Sequence, residues 1–259
     1  MDSIAVVTGG AGGIGLAIAE KLAQSHGAVY IADINTERLS QSEEYKSLLS
    51  EGRIRAYHCD VSQPGDVTQM ASFISAKGKV CTLINNAGAT DVGSLQELTS
   101  GSWRHEISLN LDAAFSCFHA FAEKLKLNRG VVVNIASVNG LSVYGNPAYS
   151  AAKAGLIHFT KSIAVEYGKF GLRANSVAPG TVRTSVWDQK IQENPKLFDD
   201  VLQFYPLGRV VNPKDVADAV MFLVSDQAAA ITGVCLPIDC GLTAGQATMA
   251  RVLTQSDSY

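Results

Sequence analysis

Tyr149 and Lys153 stand four residues apart in Asn146-Pro147-Ala148-Tyr149-Ser150-Ala151-Ala152-Lys153. On a helix that spacing sets a phenol and an ammonium one turn apart on the same face. A free tyrosine, with a pKa of about 10, exchanges protons poorly near neutrality. A cation fixed beside it favours the phenolate and is expected to bring its pKa towards the range in which a proton passes to or from a substrate oxygen. The same spacing also fits a plain amphipathic helix with a half-buried Tyr and a solvated Lys. The chemical reading therefore depends on what the rest of the chain places around the pair.

The positioning elements begin at the N-terminus. Ile4-Ala5-Val6-Val7 is a short apolar run that leads into Thr8-Gly9-Gly10-Ala11-Gly12-Gly13-Ile14-Gly15, after which Leu16, Ile18, Ala19, Leu22 and Ala23 recur at helical spacing. This reads as strand, glycine turn and helix, in which the backbone approaches a pyrophosphate and the N–H groups of the helix start receive its charge. Ala28-Val29-Tyr30-Ile31-Ala32 reads as a second strand ending at Asp33, 18 residues beyond Gly15, where a carboxylate meets the ribose hydroxyls of a dinucleotide. A carboxylate there repels a 2′-phosphate, and no basic residue occurs from Asp2 to Glu20, so NAD is expected over NADP.

Strand and helix patterns keep alternating: strands over 53–59, 80–85, 130–137, 172–177 and 234–239, and helices over 65–77, 102–127, 147 to about 170, and 215–225. Pro237, which has no N–H for a ladder, marks the last strand as an edge. Repeated β-then-α order predicts an α/β fold: a Rossmann-type, doubly wound, parallel seven-stranded sheet with helices on both faces, as one domain over 1–259. Gly9, Asp33, Asp60, Asn86, Ser137 and Pro179 each follow the carboxyl end of a predicted strand, so they are expected to line one crevice.

Composition narrows the remaining classes. The chain has 259 residues, 47% of them hydrophobic and 17% charged, and a net charge of -3, which offers no basic surface for nucleic acid or acidic lipid. Cys59, Cys81, Cys117, Cys235 and Cys240 have no C-x-x-C spacing and no histidine cluster, so neither a disulfide framework nor a metal site is expected. No segment approaches the roughly 20 apolar residues of a membrane span. A soluble cytoplasmic protein is the expectation.

The ordered set Thr8-Gly9-x-x-x-Gly13-x-Gly15, Cys59-Asp60-Val61, Asn85-Asn86-Ala87-Gly88, Asn110, Ser137, Tyr149-x-x-x-Lys153 and Pro179-Gly180-x-x-x-Thr184 resembles the short-chain dehydrogenase/reductase family over nearly the whole chain. The likeness is to its single-domain branch of about this length. The resemblance implies a catalytic group of Asn110, Ser137, Tyr149 and Lys153. Ser137 would bond the substrate oxygen and Tyr149 would exchange its proton. Lys153 would bind the nicotinamide ribose and lower the tyrosine pKa, and Asn110 would hold a relay water. Gly9, Gly13, Ile14, Gly15 and Asp33 would hold the pyrophosphate and ribose, and Asp60 and Val61 the adenine. Asn86, Ala87 and Gly88 would pack beside the adenosine ribose, while Pro179, Gly180, Val182 and Thr184 would fix the carboxamide.

An alcohol/carbonyl oxidoreductase is implied. The family's enoyl reductases space the tyrosine and lysine further apart, its nucleotide-sugar enzymes carry a larger C-terminal domain, and a non-catalytic binding protein would be expected to have lost Ser137, Tyr149 or Lys153. Residues 185–206, with Trp187, Phe198, Phe204 and Tyr205, read as a helical lid. Asn139, Asn146 and Trp187 are candidate contacts for a small polar substrate such as a sugar or polyol. The helices from 102 and 147 carry aromatic side chains beyond what one sheet face needs, and the resemblance implies that they pair across a twofold, so a homotetramer is expected; the tail from about 246 is expected to reach a neighbouring subunit or to fray over its last five residues.

Overall fold

Strand β1 (Ser3–Thr8) occupies the middle of a sheet formed with β2 (Ala28–Asp33), β3 (Ile54–His58), β4 (Lys79–Asn85), β5 (Val131–Ile135), β6 (Arg173–Pro179) and β7 (Cys235–Ile238). The strand order is β3-β2-β1-β4-β5-β6-β7 and every pairing is parallel. The computed structural model describes residues 3–41, 43–256 and 258. Among them the helices are α1 (Gly13–Leu22), α2 (Glu37–Gln41), α3 (Glu43–Ser50), α4 (Pro64–Ser75), α5 (Ser100–Ile107), α6 (Ala113–Leu127), α7 (Pro147–Tyr167), α8 (Asp188–Glu193), α9 (Leu197–Leu202), α10 (Pro213–Val224) and α11 (Ala247–Thr254).

The central strands are apolar almost without interruption because both faces of the sheet are covered. Ala5, Val7, Val29, Ile31, Val133 and Val177 pack with residues of α1 and α10 such as Ile18, Leu22 and Val220. Val6, Tyr30, Leu83, Val132 and Ala174 pack on the other side with Met70, Phe121 and Ile163 of α4, α6 and α7. Chain order reverses at β1, between β2 and β4, and that is where a parallel sheet opens its ligand crevice. Pro237 lies on β7 at the sheet edge, as its missing N–H requires.

The structure departs from the sequence reading at one element of the site and in the tail. The single helix expected over 102–127 is divided by a five-residue π turn, Ser108–Asp112, between α5 and α6. The wider i→i+5 turn inserts one residue without changing the polarity pattern, so periodicity reports one continuous helix. Within the expected tail, to which no helix was assigned, residues 247–254 form α11, with Met249, Val252 and Leu253 exposed. Of its last five residues, Asp257 and Tyr259 lie outside the described residues.

Candidate active site

The glycine turn after β1 shows why it carries no side chains. Gly9 and Gly13 adopt the left-handed conformation, with φ of +61° and +52°, which other residues reach only with strain. A side chain at Gly9 would also meet the Ala87 main chain at 2.7 Å, and one at Gly13 would meet Thr184 Cγ2 at 3.2 Å. The loop is thus closed on one side by Asn85–Gly88 and on the other by the segment after β6. Helix α1 starts behind Gly12 with no side-chain cap and no acidic residue in its first turn, so its leading N–H groups suit an anion.

Side chains from three strand ends hold this cradle. Thr8 Oγ1 accepts from the main-chain N–H groups of Asn86 (3.0 Å) and Ala87 (3.1 Å), and Asn86 Nδ2 donates to the carbonyls of Thr8 (3.0 Å) and Gly9 (2.8 Å). Asp33, the last residue of β2, accepts from Ala11 N–H at 3.0 Å and Asn35 N–H at 2.8 Å, which fixes its carboxylate beside the glycine turn. Asp60 accepts from Ser62 N–H (2.9 Å) and Oγ (2.7 Å) just past β3, next to buried Val61.

The residues proposed for chemistry meet at the carboxyl ends of β4 and β5. Lys153 is 3% exposed, and its ammonium donates to the Ile135 carbonyl at 2.8 Å and lies 5.4 Å from the Tyr149 ring centroid. Burial pushes Lys153 down to about 8. Burial pushes the Tyr149 phenol above its ordinary value, hydrogen bonding with Ser137 pulls it down, and the Glu106 carboxylate adds to the rise. The lowered tyrosine expected from the Lys153 charge is therefore not found in the polypeptide itself: desolvation outweighs the Ser137 hydrogen bond, the one influence that lowers it. Ser137 Oγ donates to Asn139 Oδ1 at 3.3 Å and accepts from Asn139 N–H at 3.1 Å.

Asn110 occupies the middle of the π turn, 1% exposed, with Nδ2 donating to the carbonyls of Ala89 (2.8 Å) and Glu106 (2.9 Å). Its Oδ1 is buried and has no hydrogen-bond partner. A methyl group placed on Gly88 would sit 2.5 Å from that oxygen and 3.3 Å from Lys153 Nζ, so an orphan acceptor and the ammonium face the same small space.

The three proposed substrate contacts fare differently. Asn139 Nδ2 donates to the Gly145 carbonyl (3.0 Å) and Ser150 Oγ (3.2 Å), and Asn146 Nδ2 to the Val92 carbonyl (3.2 Å), so both amides brace the wall of the site. Trp187 packs edge-on against Phe198 at 6.0 Å, under Lys190. Pro179 ends β6, Gly180 N–H donates to the Ile238 carbonyl (3.0 Å), and Val182 is buried in a bridge with Val211. The fold gives three further residues roles that the sequence reading did not assign. Thr8 locks two loops. Tyr205 is 4% exposed and its hydroxyl accepts from Thr181 N–H at 2.8 Å. Glu106 is a buried acid on α5 that the helical pattern gave no reason to single out. Among the described residues no group of His, Cys, Asp or Glu could hold a metal ion, and no helix is long and apolar enough to cross a membrane.

Comparison with known proteins agrees with this architecture. Residues 9–243 match a family model described as enoyl-(acyl carrier protein) reductase. An uncharacterised oxidoreductase of Schizosaccharomyces pombe is 37% identical, over 93% of this chain and 91% of that protein. A meso-2,3-butanediol dehydrogenase of Serratia marcescens is 33% identical, over 94% of this chain and 95% of that protein. The crystal structure of a short-chain dehydrogenase/reductase-family oxidoreductase from Burkholderia thailandensis superposes with a TM-score of 0.92, at 37% identity and full coverage of both chains. With its seven parallel strands, its glycine cradle and its Tyr-Lys pair, this chain belongs to the short-chain dehydrogenase/reductase family of oxidoreductases.

Proposed function

We propose that the protein is an NAD-dependent dehydrogenase that interconverts a secondary alcohol and a ketone, or a primary alcohol and an aldehyde, with Tyr149 as general acid/base. The observation that carries this reading is the shared space at Gly88, into which the Asn110 acceptor and the Lys153 ammonium both point, behind the Ser137–Tyr149 pair. A dinucleotide fits the residues present: the uncapped start of α1 for its pyrophosphate, and the fixed Asp33 carboxylate for ribose hydroxyls but not for a 2′-phosphate.

When bound, the nicotinamide ring supplies the hydride acceptor or donor. The chain's own work is to manage one proton and one developing charge. Tyr149 takes the carbinol proton, Ser137 donates to the oxygen as negative charge builds, and Lys153 steadies the phenolate. Asn110 Oδ1 holds a water through which the proton leaves past Lys153. Because burial raises the Tyr149 phenol, its basic form gains with pH. Alcohol oxidation is expected to quicken as pH rises, and carbonyl reduction as it falls.

We read the substrate as a small hydroxylated molecule such as a sugar or polyol, a reading supported by the likeness to a butanediol dehydrogenase. Leu141, Val143 and Tyr144 are 44%, 87% and 42% exposed on the loop between Ser137 and Tyr149, and this favours, as a second reading, a reductase of a hydroxysteroid, aromatic or acyl carbonyl compound. Residues 185–206 would act as the lid. The buried and half-buried free thiols suit the cytoplasm, and the aromatic faces of α6 and α7 suit a homotetramer.

The test is NADH formation across polyols, sugars, secondary alcohols, steroids and aromatic dihydrodiols, with NAD and NADP in parallel. Turnover with NAD that Tyr149→Phe reduces by at least about a hundredfold is expected. NADH binding without turnover of any alcohol would favour a non-catalytic NAD-binding regulator instead.

A further inference from the structure

Glu106 is 2% exposed, and no ion pair among the described residues includes it. A carboxylate so placed is costly to bury unless donors surround it. Here every donor comes from one loop: Oε1 accepts from Asp91 N–H (3.0 Å), Val92 N–H (3.3 Å) and Thr90 Oγ1 (3.2 Å), and Oε2 stands 3.3 Å from the same hydroxyl. The loop then passes the constraint on. The Val92 carbonyl receives Asn146 Nδ2 and the Gly93 carbonyl receives Asn146 N–H at 3.1 Å. Asn146, held left-handed at φ +50°, is the residue that launches α7 three positions before Tyr149. On its other side the loop's Ala89 carbonyl receives the Asn110 amide, which also bonds the main chain of Glu106 itself.

We propose that Glu106 is a positioning residue for the reaction: by gripping Thr90–Val92 it sets the loop that spaces Asn110 from the first turn of the Tyr149 helix. The inference rests on the dehydrogenase reading only for its catalytic consequence, since the mechanical linkage can be tested without turnover. Glu106 has no part in the glycine cradle, so cofactor affinity should be indifferent to it. Its charge has a second effect. It opposes ionisation of the Tyr149 phenol, which is otherwise faced by Lys153 on its own helix and by Ser137 from the end of β5, while Asp91 is exposed on the outer side of the loop.

Two variants separate the grip from the charge. Glu106→Ala removes both, whereas Glu106→Gln keeps an acceptor in the Oε1 position and removes the charge. Hydrogen exchange of the whole protein is expected to accelerate in Glu106→Ala by at least about tenfold across both 90–93 and 144–150, and to return close to the parent rate in Glu106→Gln. NADH affinity, followed by its fluorescence, should stay within about twofold in both, consistent with a local change. With whichever alcohol the panel shows to be turned over, Glu106→Ala should raise KM and lower kcat, and Glu106→Gln should keep KM and move the pH profile of oxidation to lower pH. The proposal is overturned if faster exchange stops at 93, if it spreads over β1–β3 with loss of NADH binding, or if Gln fails to restore it. Should no alcohol turn over, the exchange result still decides the linkage, and only the dehydrogenase reading is lost.

Discussion

Lys153 is a buried cation that, among the described residues, donates to a main-chain carbonyl. Its ordinary value of 10.5 falls to about 8 in the fold, so between those values the unfolded chain binds the proton that the native chain has lost, and stability rises with pH across that window. Below about 8 both states are charged and the full penalty, on the order of 3 kcal/mol, weighs on the native state. Lys153→Met, which keeps the length and drops the charge, is therefore expected to melt at an equal or higher temperature at pH 7 while losing activity, with the gain fading above pH 10. A variant that melted several degrees lower would show that the bond to the Ile135 carbonyl outweighs desolvation. The gathering of these residues at one place was legible in the sequence because they belong to short motifs at fixed spacings. The direction of the Tyr149 shift was not, because it depends on how much water the folded pocket excludes. The engagement of Asn139 and Asn146 was hidden for a related reason: their partners at 92, 145 and 150 are set by the path of two loops.

Among elements, the strands were the most legible, since β1, β2, β4 and β5 are nearly continuous buried runs with a glycine, acid, amide or hydroxyl at or just past their ends. The π turn at Ser108–Asp112 was not, although it is what lets the Asn110 amide bond both its own helix and the Ala89 carbonyl. Helices α2, α3 and α11 were missed for another reason: they are short and largely polar or exposed, so they carry little core signal. The segment at 185–206 was expected to be helical, and α8 and α9 lie there. Its far end is fastened by Tyr205, whose hydroxyl takes the Thr181 N–H from the strand-end segment below. Tyr205→Phe keeps the ring and leaves that N–H without an acceptor, a loss of about 1–3 kcal/mol. Limited proteolysis should then cut within 185–206 faster, with the rest of the chain unchanged. Unaltered cleavage would mean that ring packing alone secures the segment.

At the scale of the whole molecule, several apolar side chains on the outer faces of α6 and α7 remain in water. Phe115 is 52% exposed, stacks on His119 and meets Phe159 edge-on, while Leu127 and Val165 are 76% and 82% exposed. Such faces on adjacent helices are what a twofold contact would cover. A tetramer of the 27.4 kDa chain, about 110 kDa by light scattering, is the expected state, and Phe115→Asp should reduce it to smaller species without unfolding the sheet. A parent protein that scatters as a monomer would remove this reading.

The sheet order also divides the crevice between the two ends of the chain. The strands that carry the glycine turn and Asp33, with their neighbour β4, end by residue 85, and Asn86 and Ala87 follow directly to lock the turn. The opposite wall draws on much later residues, because Gly180 is tied to Ile238, Thr181 to Tyr205, and Val182 to Val211. The end of the crevice that would receive adenosine is thus built largely from the first 90 residues, whereas the end that would receive the reacting ring depends on contacts reaching to the last strand, so a truncation before Tyr205 would remove the second wall while leaving the residues of the first in place.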